Sequence, residues 1–144
     1  MTDDDLQVLI CGWTTHQDQI TAIRFKVFVE EQRVPKDMEI DEEDPLALHF
    51  LMLDAANKMP VATGRLLENG HIGRMAVIKE YRNQKIGSQL LSAIISEARK
   101  RNMNELFLNA QISAVGFYEK NGFTAHGQEF MDAGIPHIKM TRTL

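Results

Sequence analysis

The chain has one cysteine, Cys11, in 144 residues, so no intrachain disulfide can brace it. With eight methionines beside it, the composition points away from an oxidising compartment. Cys11 lies in an apolar segment, where a thiol is ordinarily a small buried hydrophobe, and no cation or helix start nearby marks a reactive one. No apolar run reaches the roughly 18 residues of a membrane span. The N-terminal Asp3-Asp4-Asp5 is the reverse of a basic targeting segment. These absences imply a cytoplasmic protein with no membrane partner. A basic surplus is lacking too: 16 Lys and Arg against 20 Asp and Glu give a net charge of −4, which argues against a nucleic-acid partner. His, Cys and carboxylates do not cluster at metal-ligand spacing, so no metal is expected. Repeats and linkers are absent.

What is present is ordinary globular material, 44% apolar and 25% charged, enough for one domain over residues 1–144. Leu6–Cys11 reads as a strand. Thr14 or Thr15, with Asp18 at capping-box spacing, predicts the start of a helix. Its stripe is Ile20, Ile23 and Val27 with Phe28 beside it, and it should fade at Arg33-Val34 before Pro35. Residues 37–44 hold six carboxylates in eight positions and read as a solvated acidic loop, which would attract a cationic amine. Strands follow at His49–Leu53, Pro60–Leu67 and His71–Ile78, the last two joined through the turn signal Asn69-Gly70. Ile86, Leu90, Leu91, Ile94, Ile95 and Ala98 recur at helical spacing. A strand at Glu105–Ala110, a helix at Ser113–Lys120 closed by Asn121-Gly122, and a hairpin of Phe123–Phe130 with Ile135–Thr141 complete the chain. The fold class is α/β: a mixed, mostly antiparallel sheet flanked by helices, in the order β-α-β-β-β-α-β-α-β-β.

The most informative stretch is the strand around Met75-Ala76-Val77, the basic turn Arg82-Asn83-Gln84-Lys85, and the helix opening at Ile86-Gly87-Ser88. A helix start leaves backbone N–H groups without intrahelical partners and carries partial positive charge, so it favours an anion. Gly87 lets a phosphate approach the backbone, and Arg82 and Lys85 add mobile cations. The spacing is neither that of a P-loop nor that of a dinucleotide fold.

Arg82-x-x-Lys85-x-Gly87, followed roughly 30 residues later by Phe117-Tyr118-Glu119-Lys120-Asn121-Gly122-Phe123, resembles the GNAT superfamily of acyl-CoA-dependent N-acetyltransferases. The family's acyl-CoA motif runs Gln/Arg-x-x-Gly-x-Gly/Ala, and its later helix ends in Tyr-Glu-Lys-x-Gly-Phe. The resemblance implies that acetyl-CoA is the donor and that backbone amides of Gln84, Lys85, Ile86, Gly87 and Ser88 hold its pyrophosphate. Met75, Ala76 and Val77 would pair with the pantetheine arm, Gln111 would contact it, and Tyr118 would protonate the departing thiolate. Lys85 departs from the pattern by standing where the family has its first glycine. At that position a helical or extended φ costs Lys little, whereas a positive φ strains it.

Transfer to an amine needs a base. Glu30 and Glu31 near the end of the first helix, and His49, His71 and His137 on strands, are candidates, with Glu31 preferred. Arg24-x-x-Val27-Phe28-Val29-x-Glu31-Gln32, Glu39-x-Asp41-x-x-Asp44, His49 and Ala133-Gly134-Ile135-Pro136-His137 resemble a small bacterial subgroup of mostly unassigned substrate. Arg24, Glu30 and His137 are the candidate acceptor contacts. Arg24 reads equally as a buried cation needing Asp41 or Asp44. The expected activity is acetyl transfer to a primary amine of a small molecule or peptide. An acyl-homoserine-lactone synthase-like enzyme and a non-catalytic acyl-CoA sensor are the alternatives. Exposed terminal strands allow a homodimer.

Overall fold

The computed structural model describes residues 5–144; Asp3 and Asp4, weighed above, lie outside them. Strands β1 (Leu6–Cys11), β2 (Leu48–Asp54), β3 (Pro60–Leu66) and β4 (Ile72–Val77) form an antiparallel sheet in chain order. Alternation along β2 sends its side chains to two faces. Phe50 and Met52 pack with Leu90, Leu91 and Ile94 of helix α3 (Ile86–Lys100). Leu51 and Leu53 pack with Trp13, Ile20 and Ile23 of helix α1 (Trp13–Arg24). Each such fully buried aliphatic is worth about 1.5–3 kcal/mol, so the two helices lock the sheet from both sides. Strands β5 (Glu105–Gln111), β6 (Thr124–Asp132) and β7 (Ile135–Thr143) form a second antiparallel sheet in the order β5-β7-β6, with helix α4 (Val115–Lys120) after β5.

The two sheets meet at one point. His71 and Phe107 make a parallel bridge, Phe107 N–H donates to the Gly70 carbonyl at 3.0 Å, and the two rings stack 4.7 Å apart. Gly70 is required there: its φ is +90°, and a Cβ would come within 2.4 Å of the Glu105 carbonyl oxygen. Beyond this root β4 and β5 part, so the expected sheet is split into two. On β4 the divergence coincides with a bulge opposite Thr63–Arg65, where Arg74 takes a φ of +52°.

Two local expectations give way. No side chain caps α1; its N-cap is Gly12, and Thr15 Oγ1 donates to the Gly12 carbonyl at 3.1 Å instead of accepting from the helix. The first helix does end before Pro35, at Glu31, but its last seven residues, Phe25–Glu31, are π-helical. Residues 37–44 are not a solvated loop. They contain most of a short helix, α2 (Lys36–Glu39), and a buried charge network. Arg24, 1% exposed, donates from Nη1 and Nη2 to both oxygens of Asp44 at 2.8 and 3.0 Å and from Nε to Glu39. Arg65 Nη1 bridges Asp44 and Asp41, and Arg74 Nη2 reaches Asp41 at 3.1 Å. With Glu39, Asp41 and Asp44 answered by three arginines, the segment is not a free acidic lure.

Burial alone would raise Asp44, but the hydrogen bonds and charge of Arg24, with the Asp41 N–H and Arg65, hold it down to about 2. His49 is pushed below its usual value by burial, with Nε2 donating to the Asp44 carbonyl at 2.8 Å. Both shifts make acid destabilising. The unfolded chain takes up a proton at His49 as pH falls through about 6.5, before the fold can. It then takes one up at Asp44 as pH falls through about 3.8. Urea unfolding at stepped pH should show stability falling below pH ~6.5, and Asp44 alone giving up about 2 kcal/mol from pH ~4 to ~2. Removing one partner with Asp44→Ala should cost about 3–5 kcal/mol at neutral pH.

Candidate active site

The parting of β4 and β5 opens a cavity of about 770 Å³. Its walls include the facing edges of two strands, each paired on its other side only, β4 with β3 and β5 with β7. Backbone polar groups on such edges need partners, so an extended ligand finds a ready ladder. Met75, Ala76 and Val77 line this cavity, as do Arg82, Lys85, Ile86, Gly87, Ser88, Gln111, Tyr118 and His137. Gln84 does not, although its neighbours Asn83 and Lys85 do.

At one end stands the start of α3. No side chain caps it, so the N–H groups of Ile86, Gly87 and Ser88 are donors without helical acceptors. Lys85 is the N-cap, with φ +63°, and Asn83 also has φ +63°. Lysine therefore sits in a left-handed conformation that glycine adopts freely and other residues pay about 1 kcal/mol or more to hold. Its ammonium makes no hydrogen bond or ion pair among the described residues and is free to meet an anion. Arg82 is not the mobile cation expected. Its Nη1 and Nη2 each lie 2.8 Å from an oxygen of Glu31, and its Nε donates to the Val77 carbonyl at 2.9 Å. Both oxygens of Glu31, the preferred base, are thereby engaged, which leaves Glu31 as the residue that positions Arg82.

Tyr118 lies on α4, which ends in a Schellman turn: Phe123 N–H donates to the Tyr118 carbonyl and Gly122 N–H to that of Glu119. This fixes the helix just beyond the strand end. The Tyr118 ring meets Phe117 and Phe123 edge-on, at 5.0 and 5.9 Å, and its hydroxyl donates to Met75 Sδ at 3.7 Å. Burial pushes the phenol up to about 12, so it keeps its proton across the physiological range. Its present acceptor is a thioether, which holds a donor weakly and yields to an anionic sulfur.

The far end of the cavity is polar. Gln111 Nε2 donates to Gln32 Oε1 at 2.8 Å and ties the π-helical segment to β5. His137 is buried, with Nδ1 2.7 Å from the Ile135 carbonyl. His71 also lines the wall, and burial lowers it. Of the remaining acceptor candidates, Arg24 is locked in the ion network and Glu30 is exposed, away from the wall. Sequence reasoning gave no role to Arg65, Arg74, Gln32 or Phe117, all of which line the cavity. Arg65, in the otherwise uncharged run Pro60–Leu66, was the one with a visible signal.

Among the described residues no helix is long and apolar enough to cross a membrane, and no group of His, Cys and carboxylates is arranged to hold a metal. A parted pair of parallel strands, an uncapped helix start and a protonated phenol all border this one cavity. Residues 14–144 match the family model described as acetyltransferase (GNAT) domain, and the chain belongs to that family. It is 36% identical to the uncharacterized N-acetyltransferase YjcF of Bacillus subtilis over 124 residues, 83% of this chain and 87% of that one. An acyl-CoA N-acyltransferase from Pseudomonas aeruginosa superposes with a TM-score of 0.83 at 26% identity, covering 95% of this chain and 99% of the other. The CoA-dependent acyl-homoserine lactone synthase BjaI, solved with SAM and isopentyl-CoA, superposes with a TM-score of 0.78 over 96% of this chain and 83% of its own. At 13% identity that likeness carries the fold alone.

The left-handed N-cap sets a measurable cost. Lys85→Gly should raise the unfolding free energy by about 1 kcal/mol, read by thermal or urea unfolding. A loss of stability in that variant would mean that the lysine side chain, rather than the backbone angle, governs the turn.

Proposed function

We propose that this protein is an acetyl-CoA-dependent N-acetyltransferase that moves an acetyl group to a primary amine of a small molecule or peptide by direct transfer. The observation that carries the reading is the alignment of three features along one cavity: the donor-rich start of α3, the unpaired edge of β4, and the Tyr118 hydroxyl. The N–H groups of Ile86, Gly87 and Ser88, with the Lys85 ammonium, suit a pyrophosphate. Met75 to Val77 suit the amide-bearing arm as an added strand, with Gln111 across from them. An N–H on this edge is also placed to stabilise negative charge developing on an acyl oxygen.

Acetyl-CoA supplies an activated thioester. The chain's own contribution is to align it, exclude water and manage two protons. Tyr118 holds one of them. Against an ordinary thiol near 8.5, an ordinary phenol near 10 is the weaker acid, and full transfer in water would run uphill by about 2 kcal/mol. Burial raises the phenol to about 12 and also raises a thiolate formed beside it, so the gap between them stays of that order rather than widening. Arg82, held by Glu31 and the Val77 carbonyl, braces the turn that carries the anion-binding amides.

A thiol-release assay with acetyl-CoA and a panel of aminoglycosides, polyamines, amino acids and lysine peptides tests the reading, and S-adenosylmethionine in the same panel tests lactone synthesis. Saturable, amine-dependent release is expected. Binding without release from any acceptor would point to a sensor instead. In Tyr118→Phe, kcat should fall about 100-fold with acetyl-CoA binding retained, whereas unchanged turnover would remove Tyr118 from the chemistry.

A further inference from the structure

We propose that His137 is the general base of this enzyme, taking a proton from the acceptor ammonium through Nε2. The inference rests on the acyl transfer proposed above and assigns the group that transfer leaves open once Glu31 is engaged by Arg82. A carbonyl oxygen only accepts, so the 2.7 Å contact between Nδ1 and the Ile135 carbonyl places the ring proton on Nδ1. In the neutral ring Nε2 then carries the lone pair. Nε2 makes no hydrogen bond among the described residues, and His137 lines the cavity. A base oriented by a third group and open toward the reacting space is the arrangement that nucleophile activation requires.

The elements packed on the ring keep it in place. Phe130, its register partner on β6, stacks on it with centroids 5.9 Å apart. Gln111 is its register partner on β5 and is itself fixed by Gln32. Charged groups on its own elements are Asp132, on the cavity wall where β6 ends, and Lys139, two residues along β7, while Asp41, Glu43, Arg65 and Arg74 line the rest of the cavity. Lys139 Nζ is turned over the Phe107 ring at 5.2 Å. His71 is the competitor on the opposite wall. It lies flat on Phe107, and no hydrogen bond among the described residues selects which of its nitrogens is free.

The proton balance is complete without a further reactant. The ammonium gives one proton to His137 Nε2, and the imidazolium later returns it to solvent. The neutral nitrogen forms the C–N bond as the C–S bond breaks. Sulfur keeps the bonding pair and takes the phenolic proton of Tyr118. The second proton on nitrogen then restores the phenol, leaving an N-acetyl amide, a free thiol and one proton in solution.

His137→Asn keeps a side-chain amide donor for the Ile135 carbonyl but has no basic nitrogen. With acetyl-CoA and the fastest amine of the panel above, kcat/KM should fall about 100-fold at pH 7. The deficit should shrink to about threefold or less near pH 10, where an alkyl amine supplies its own neutral form and Tyr118 is still protonated. Acetyl-CoA affinity should match that of the wild type. If His137→Asn folds poorly, His137→Gly with added imidazole serves instead: restored turnover supports the assignment, and no restoration overturns it. A loss that is equal at pH 7 and pH 10, or no loss, also overturns it. Wild-type protein that transfers to no panel amine would overturn the transferase reading itself, and the base with it.

Discussion

Everything functional in this molecule depends on two parallel strands that meet and then separate. β4 and β5 share one bridge, at His71 and Phe107, and no ladder beyond it. A backbone edge left without partners is costly unless water or a ligand satisfies it. The fold places two such edges face to face and builds its cavity from them. What forces the strands together at the root is local and specific: a glycine at φ +90° that no side chain could replace, and a flat ring stack. The bulge at Arg74 lies where β4 turns away.

The buried charge network supports the opening from behind. Arg24, Arg65 and Arg74 interleave with Glu39, Asp41 and Asp44, joining α1, α2, β3 and β4 into one block. Such a cluster adds little net stability over an apolar core, because desolvation offsets the attraction. Its geometry does fix where each element sits. Arg65, Arg74, Glu39 and Asp41 also line the cavity, so the network forms part of its wall. The π-helical segment delivers the other wall: Glu31 and Gln32 at its end reach Arg82 and Gln111 respectively.

Periodicity made the fold legible. The α3 stripe of Leu90, Leu91 and Ile94, the short apolar run of β2 and the turn signals at Asn69-Gly70 and Asn121-Gly122 all correspond to what the chain forms. The helix start at Ile86 and the place of Tyr118 on a short helix were legible because helix starts and the Tyr-Glu-Lys-Asn-Gly-Phe run are local patterns. The acidic segment was legible only in part: Arg24 read as a cation needing Asp41 or Asp44, but the links of Glu39 to Arg24 and of Asp41 to Arg65 and Arg74 span 15 or more residues, and composition reports charge without its partners. For the same reason Glu31 read as a free carboxylate, while Arg82 lies 51 residues further on. Lys85 posed a question that sequence could only frame as a choice of φ. The backbone answers +63°.

The central claim is that the start of α3 and the free edge of β4 together hold an acyl-CoA. Titration of 15N-labelled protein with acetyl-CoA, followed by amide NMR, tests it most directly. The largest and saturable shifts should fall on the amides of Ile86, Gly87 and Ser88, with a second group at Met75 to Val77. Saturation that leaves these amides unmoved, or that concentrates its shifts on another face of the molecule, would contradict the account.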